Sequence, residues 1–178
     1  MFPYARAAVV IGAHKTVIDT DLSFADLIDI FKGKKSRWKD SREIIVLCRE
    51  QGNSSQEVME HQIPGFKEAL ADSYKGNLWT CLYSAKEMAE VLVKTPYAMG
   101  ITDMGVITTR KLPIKPLKIN GVQPNAANVR NGKYPLIKTL YLVFKKERLS
   151  PEAKTLLGFI KSPEGRRLLK ANGYQAGE

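Results

Sequence analysis

Histidine and cysteine are scarce, with two of each among 178 residues. His14 and His61 lie far apart and belong to no ligand-spaced cluster, so each reads as a structural or exposed residue. Cys48 and Cys81 fall inside apolar stretches without metal-ligand spacing. They read as two buried free thiols, and a disulfide between them stays open at this level. Aromatics make up 8% of the chain, too few for the interleaved stacking platform that single-stranded nucleic acid asks for. No apolar run approaches the roughly 20 residues of a membrane-crossing helix. The longest, Ala7-Ala8-Val9-Val10-Ile11-Gly12-Ala13, reads as a buried strand. No Ser-His-Asp constellation, P-loop or GxGxxG is legible. Nothing here points to an enzyme or implies a cofactor.

Positive charge is plentiful. Lys and Arg number 28 against 18 Asp and Glu, a formal net charge of +10. Such an excess first suggests a polyanion or an anionic surface. Yet the clusters Lys32–Arg37, Arg110-Lys111, Lys145-Lys146 and Arg166-Arg167 stand at the ends of different segments and form no single stripe. They read as solvated surface charge, although Trp38 beside the first could suit base stacking. The balance of 44% hydrophobic and 26% charged residues is that of a globular chain long enough to bury a sizeable core.

Short β-rich runs alternate with helical patterns. The strands expected are Ala8–Ile11, Ile44–Cys48, Trp79–Tyr83, Ala98–Thr102, Ile114–Ile119 and Thr139–Phe144. Ser23 with Asp26 opens a helix that Gly33 stops, and Phe24, Leu27, Ile28 and Phe31 share one face. Ser54 or Ser55 opens another, and Ser84 with Glu87 forms a capping box. Ser150-Pro151-Glu152 and Ser162-Pro163-Glu164 each place proline at the first helical position. A short helix is expected at Ala126–Arg130. The alternation predicts an α/β fold.

The segment Ile44-Ile45-Val46-Leu47-Cys48-Arg49-Glu50-Gln51-Gly52-Asn53-Ser54-Ser55 carries the most chemistry. A buried strand enters a polar loop and then a helix. Free amides and partial positive charge at a helix start favour an anion. Asn53, Ser54 and Ser55 offer extra donors, and Arg49 could add a bidentate charged contact. The same pattern also reads as a plain capped helix with a surface arginine. Asp103, at a strand end beside Gly105, could face a cleft and favour a protonated ligand, or simply shape a loop. Asp19 and Asp21 read as residues that shape a helix entry.

Leu22-Ser23-Phe24-Ala25-Asp26-Leu27-Ile28-Asp29-Ile30-Phe31-Lys32-Gly33 followed by Trp38-Lys39-Asp40 resembles the "LS-x-x-x-L-x-x-IF-x-G…W-x-D" signature of the phosphate-type periplasmic solute-binding proteins of ABC importers. Arg49 to Ser55 stands where the family shows Arg-x-x-Gly-Ser-Gly-Thr. Ala98 to Asp103, Gly121 to Asn125, Gly132 to Leu136, and Ser162 to Gly165 with Asn172-Gly173-Tyr174 continue the match in order.

The resemblance implies a two-lobed α/β architecture with hinge strands that closes on a small, phosphate-like oxyanion and docks on ABC transporter membrane subunits. Residues 19–103 would form the second lobe with the anion-binding loop. Residues 1–18 and 104–178 would form the hinge strands and the remainder of the first lobe. Arg49, Asn53, Ser54 and Ser55 are the anion-binding candidates it transfers, with no metal and no catalytic residue. Ser54 stands where the family has glycine, so a side chain occupies space that the ligand otherwise uses. About a third of a family member, at the start of the first lobe, has no counterpart, so the first lobe is expected to be incomplete and a homodimer could complete it. A periplasmic or extracellular location follows from the resemblance, while Met1 to Ala13 shows no signal peptide. The alternative is a cytoplasmic ligand-sensing or protein-interaction domain of the same fold.

Overall fold

The computed structural model describes residues 1–177, apart from the Lys146 side chain. Its organising element is strand β1 (Phe2–His14), longer than the Ala8–Ile11 run expected of it. The residues from Ala7 to His14 are all buried, as expected of a strand covered on both faces. The N-terminal half of β1 pairs antiparallel with β8 (Ile137–Leu142) and β9 (Tyr174–Ala176). Its C-terminal half pairs antiparallel with β5 (Ala98–Asp103) and β6 (Ile114–Pro116). The parallel strands β3 (Ile45–Arg49) and β4 (Thr80–Leu82) extend the sheet beyond β5. Two short strands, β2 (Asp21–Leu22) and β7 (Lys118–Ile119), pair separately. This is a mixed α/β fold with eight α-helices among the described residues.

The helical start signals act as their chemistry requires. In α1 (Phe24–Phe31) Ser23 and Asp26 close a reciprocal capping box, and Leu27, Ile30 and Phe31 are buried. Phe31 meets Phe66 of α3 (Phe66–Lys75) edge to face, with centroids 4.9 Å apart. Helix α2 (Ser54–Gln62) departs from expectation: its N-cap is Asn53, not either serine. In α4 (Ala85–Lys94) Ser84 caps Glu87 N–H, but the Glu87 carboxylate accepts from Tyr83 N–H rather than from Ser84 N–H. Helices α5 (Met104–Thr109), α6 (Ala126–Arg130), α7 (Pro151–Lys161) and α8 (Pro163–Ala171) follow. The single strand expected at Ile114–Ile119 breaks at Leu117, whose N–H turns to the Ile11 carbonyl of β1. Cys81 is half-buried rather than buried, and both cysteines are free thiols.

Two backbone bonds fix the order of strands around β1. Val9 N–H donates to Leu136 O, at the head of β8, and Leu117 N–H donates to Ile11 O, beside β6. Alternate residues of a strand direct their backbone groups to the same side. Strands β8 and β6 therefore share one flank of β1, and β5 lies on the other. Trp38 is 3% exposed, with its indole N–H bonded to Tyr97 O at 2.9 Å. It is a core residue and offers no face for stacking a base.

Candidate functional site

The polar cluster of interest sits where β1 exchanges its partners. Asp103 is the register partner of Val9, and Lys138 that of Ala7. Partners across an antiparallel pair share a face, and so do residues two apart on one strand. Lys138 and Asp103 therefore project from the same face, on opposite flanks of β1. The small side chain of Ala7 lets the lysine cross the strand. Its ammonium reaches Asp103 Oδ2 at 3.0 Å, Ser55 Oγ at 3.0 Å and Ser54 Oγ at 3.4 Å. Ser55 Oγ–H in turn donates to Asp103 Oδ1 at 3.1 Å. An ammonium has three N–H donors, and all are used here.

Helix α2 presents its N-terminus to this cluster. Gly52 turns the chain with φ +78°, and Asn53 Oδ1 accepts from Ser55 N–H at 3.0 Å. Ser55 is buried and Ser54 exposed, so the pair spans from the interior to the rim. The helix start adds partial positive charge to the lysine. On the far side, Tyr174 of β9 approaches. Burial, then the nearby Asp103 carboxylate and Tyr4, push the Tyr174 hydroxyl above its ordinary value, so it stays neutral. Gly105 allows that approach, because a Cβ there would overlap the Tyr174 ring and hydroxyl.

The four residues singled out from sequence separate into two groups. Ser54 and Ser55 join Lys138 and Asp103. Asn53 spends its carbonyl on the cap. Arg49 is 7% exposed, and its guanidinium forms a bidentate pair with Glu50, Nε to Oε2 and a terminal nitrogen to Oε1, both at 2.8 Å. Leu47 is the partner of Gly100 on β5, so by alternation Arg49 belongs to the face opposite Asp103. The Arg49 carbonyl accepts from the Tyr74 hydroxyl, which fixes the end of β3 beneath α3. The Arg49 bond draws the Glu50 carboxyl below its ordinary value, against a smaller effect of burial.

Lys138 was not among the sequence candidates. A lysine in an alternating strand looks like an outward residue, and only the crossing over Ala7 brings it inward. His14 is buried with Nδ1 2.8 Å from Thr16 Oγ1, and Asp19 caps Lys39 N–H at 3.1 Å; both organise turns. A cavity of about 260 Å³ lies on the other face of β1, between Ala8, Pro116, Pro124 and Val129. Its lining has no charged side chain; its polar side chains are the carboxamides of Gln123, Asn125 and Gln175.

A family model described as the PBP superfamily domain matches residues 1–164. The chain belongs to the PBP superfamily. Two phosphate-binding proteins are among its relatives. Phosphate-binding protein PstS of Bacillus subtilis (strain 168) is 26% identical over 149 residues, 81% of this chain and 46% of that protein. Phosphate-binding protein PstS 2 of Streptococcus agalactiae serotype V is 25% identical over 95 residues, 53% of this chain and 31% of that protein. The chain thus spans less than half the length of either. Among solved structures, a protein from Clostridium perfringens with bound phosphate superposes with TM-score 0.83 at 21% identity, covering 98% of this chain and 70% of that one. PstS from Borrelia burgdorferi gives TM-score 0.68 at 18% identity, with 98% and 70% covered. These likenesses are of fold: the PBP superfamily architecture recurs in proteins longer than this chain.

Proposed function

We propose that this chain forms the ligand-binding part of a solute-binding protein of an ABC importer and takes a phosphate-like oxyanion at the start of α2. One observation carries the reading: the Lys138 ammonium converges with the Ser54 and Ser55 hydroxyls at that helix start. Three kinds of donor face one point, and an arriving oxyanion exchanges with the Asp103 carboxylate for them. Asp103 offers only acceptors, so it repels a fully ionised ligand and accepts a hydrogen bond from a partly protonated one. Phosphate at neutral pH satisfies that condition and sulfate does not. Asn53 contributes its amide N–H groups. Arg49 leaves β3 on the opposite face with its fork held by Glu50, so it contributes only by releasing Glu50 and reaching the ligand around the end of the strand. The role is binding without a catalytic step, at a periplasmic or extracellular location, with ABC transporter membrane subunits as the partner.

The lobe division that fits this role places residues 19–103 in the second lobe, with 1–18 and 104–178 as hinge strands and first-lobe remainder. Glu178, the last of that range, lies outside the described residues. In this division β6 and β7 complete the second-lobe sheet from the returning segment, and Lys138 and Asp103 face each other across the hinge. Tyr141, Val143, Leu156, Phe159 and Leu168 are exposed on β8, the segment after it, α7 and α8. These exposed apolar side chains, all in the first-lobe remainder, favour association with a second copy there, which light scattering on the purified chain reads directly.

The deciding experiment is calorimetric titration with phosphate, sulfate, molybdate and tungstate. Wild type gives heat with phosphate and little with sulfate. Lys138→Met weakens phosphate binding at least about tenfold, the loss of one charge-assisted contact. Arg49→Ala weakens it less, because Glu50 competes for that fork. Unchanged affinity in Lys138→Met would overturn the site.

A further inference from the structure

The two cysteines are register partners. Cys48 of β3 stands directly opposite Cys81 of β4 in the parallel pair. Neighbouring strands lie about 4.7–4.9 Å apart, inside the Cα separation of about 4.4–6.8 Å that a disulfide spans. Paired positions on adjacent strands also send their side chains to the same face. The separation in sequence therefore disappears in the sheet, and the two thiols adjoin.

Their surroundings differ in a useful way. Strand β4 is the edge of the sheet and Cys81 is half-buried, so of the two cysteines it is the one nearer to solvent. Cys48 is 1% exposed on the strand behind it. Burial, together with the adjoining Cys81, pushes the Cys48 thiol up to about 11, although the nearby Tyr74 hydroxyl acts the other way. Cys48 is thus withheld from outside reagents, so the first exchange falls to Cys81, and mildly alkaline pH raises the small Cys48 thiolate fraction that the second step needs. A small cavity of about 30 Å³ is lined by both cysteines, with Ser73, Tyr74, Asn77 and Trp79 as its other walls.

We propose that Cys48 and Cys81 form an ordered dithiol–disulfide pair, in which Cys81 meets the oxidant and Cys48 resolves it. The oxidant is a disulfide, either a small one such as oxidised glutathione or that of a thiol–disulfide oxidoreductase. The Cys81 thiolate attacks one sulfur of that disulfide, a mixed disulfide forms, and the first thiolate leaves. The Cys48 thiolate then attacks Cys81 Sγ and expels the second thiolate. Two protein thiols are oxidised, one external disulfide is reduced to two thiols, and the two protons pass to the leaving thiolates. An exported location supplies such an oxidant, but the chemistry does not depend on anion binding. The bridge would tie the ends of β3 and β4 together immediately before Arg49 and the loop to α2.

The test uses the full chain, reduced and then held with oxidised glutathione at mildly alkaline pH. It is quenched in acid, transferred to neutral urea with N-ethylmaleimide and weighed by intact mass spectrometry. The expected product is a monomer lighter by two hydrogens with no reactive thiol, reversed by dithiothreitol. Cys48→Ser should stop as a glutathione adduct on Cys81, whereas Cys81→Ser should stay unmodified while folded. The urea midpoint of the wild type should rise on oxidation, and that of either variant should not. Two alkylated thiols after oxidation, a stable glutathione adduct on the wild type, or linked dimers alone would each overturn the pairing.

Discussion

Replacing Lys138 by methionine removes one ammonium and keeps most of the aliphatic stem, so the change isolates its charge. The Lys138 and Asp103 side chains are 17% and 18% exposed, largely out of water but not sealed from it. Breaking a fully buried pair costs about 3–5 kcal/mol, and a hydrogen bond to a charged group contributes about 1.5–3 kcal/mol. Water can still reach Asp103, and Ser55 Oγ–H remains bonded to it, so the cost falls below that of a fully buried pair and within the hydrogen-bond range: about 2–3 kcal/mol for Lys138→Met. Asp103→Asn leaves Lys138 with the serine oxygens and costs about 1–2 kcal/mol. In the double variant neither charge is stranded. The two losses should therefore overlap, with a coupling of about 1–2 kcal/mol.

Urea unfolding followed by circular dichroism measures the cycle, provided the slope stays constant across the four proteins. Strict additivity, within about 0.5 kcal/mol, would refute the view that the pair spans β1 as one unit. The same four proteins separate stability from binding. The double variant regains part of its stability, yet it still lacks the ammonium and should still bind phosphate at least about tenfold more weakly than wild type.

Three further outcomes rest on other parts of the molecule. Gly105→Ala should destabilise by about 1–3 kcal/mol through overlap with Tyr174, and adding Tyr174→Ala should recover part of that loss in thermal unfolding; no recovery would show the strain lies elsewhere. Asn53→Ala should cost about 1 kcal/mol by removing the cap of α2, whereas Ser54→Ala should cost little by the same urea assay; equal effects would return the cap to the serines. Glu50 titrates below its ordinary value in the fold, so its pairing with Arg49 stabilises the protein above that ordinary value, near 4.5, and is lost as the pH falls through the depressed one. Glu50→Gln should therefore flatten the acid side of a stability–pH curve, and parallel curves would exclude the contribution.

The elements read from sequence were those with local punctuation. Ser23, Ser84, Ser150 and Ser162 each cap the helix they announce, because a side-chain oxygen near free amides acts over one turn and needs no tertiary partner. Helix α3 starts at Gly65, which has no side chain to signal a start, and α5 is built from Val106, Ile107, Thr108 and Thr109, whose preference is for strands. The first half of β1 escaped notice because Pro3, Tyr4 and Arg6 break its apolar run; partners β8 and β9 impose the extended form there. At the site, the loop to α2 was legible as a strand, a glycine turn and a capped helix. Lys138 and the true partner of Arg49 were not. Both depend on which flank of which strand a neighbour occupies, and spacing along the chain carries no such information.

That dependence bears on how the chain could work. Strand β1 passes from the β8–β9 pairing to the β5–β6 pairing between Ala8 and Val9. The ion pair is anchored on either side of that change, at Ala7 and Val9. If the two halves turn about this point, the Lys138 ammonium separates from, or approaches, Asp103, Ser54 and Ser55 together. An oxyanion that takes the Asp103 position against Lys138 and Ser55 would keep the halves joined through itself. The site and the hinge are then the same few residues, and ligand binding is read as closure without a separate relay. Fixing Ala7 as a bulkier residue tests this directly. Ala7→Leu places a branched side chain in the path of Lys138, so it should weaken phosphate binding as Lys138→Met does while leaving the ammonium in the protein. Retained affinity in a folded Ala7→Leu variant would show that Lys138 reaches the ligand by another route, and that crossing β1 is not what brings the two halves together.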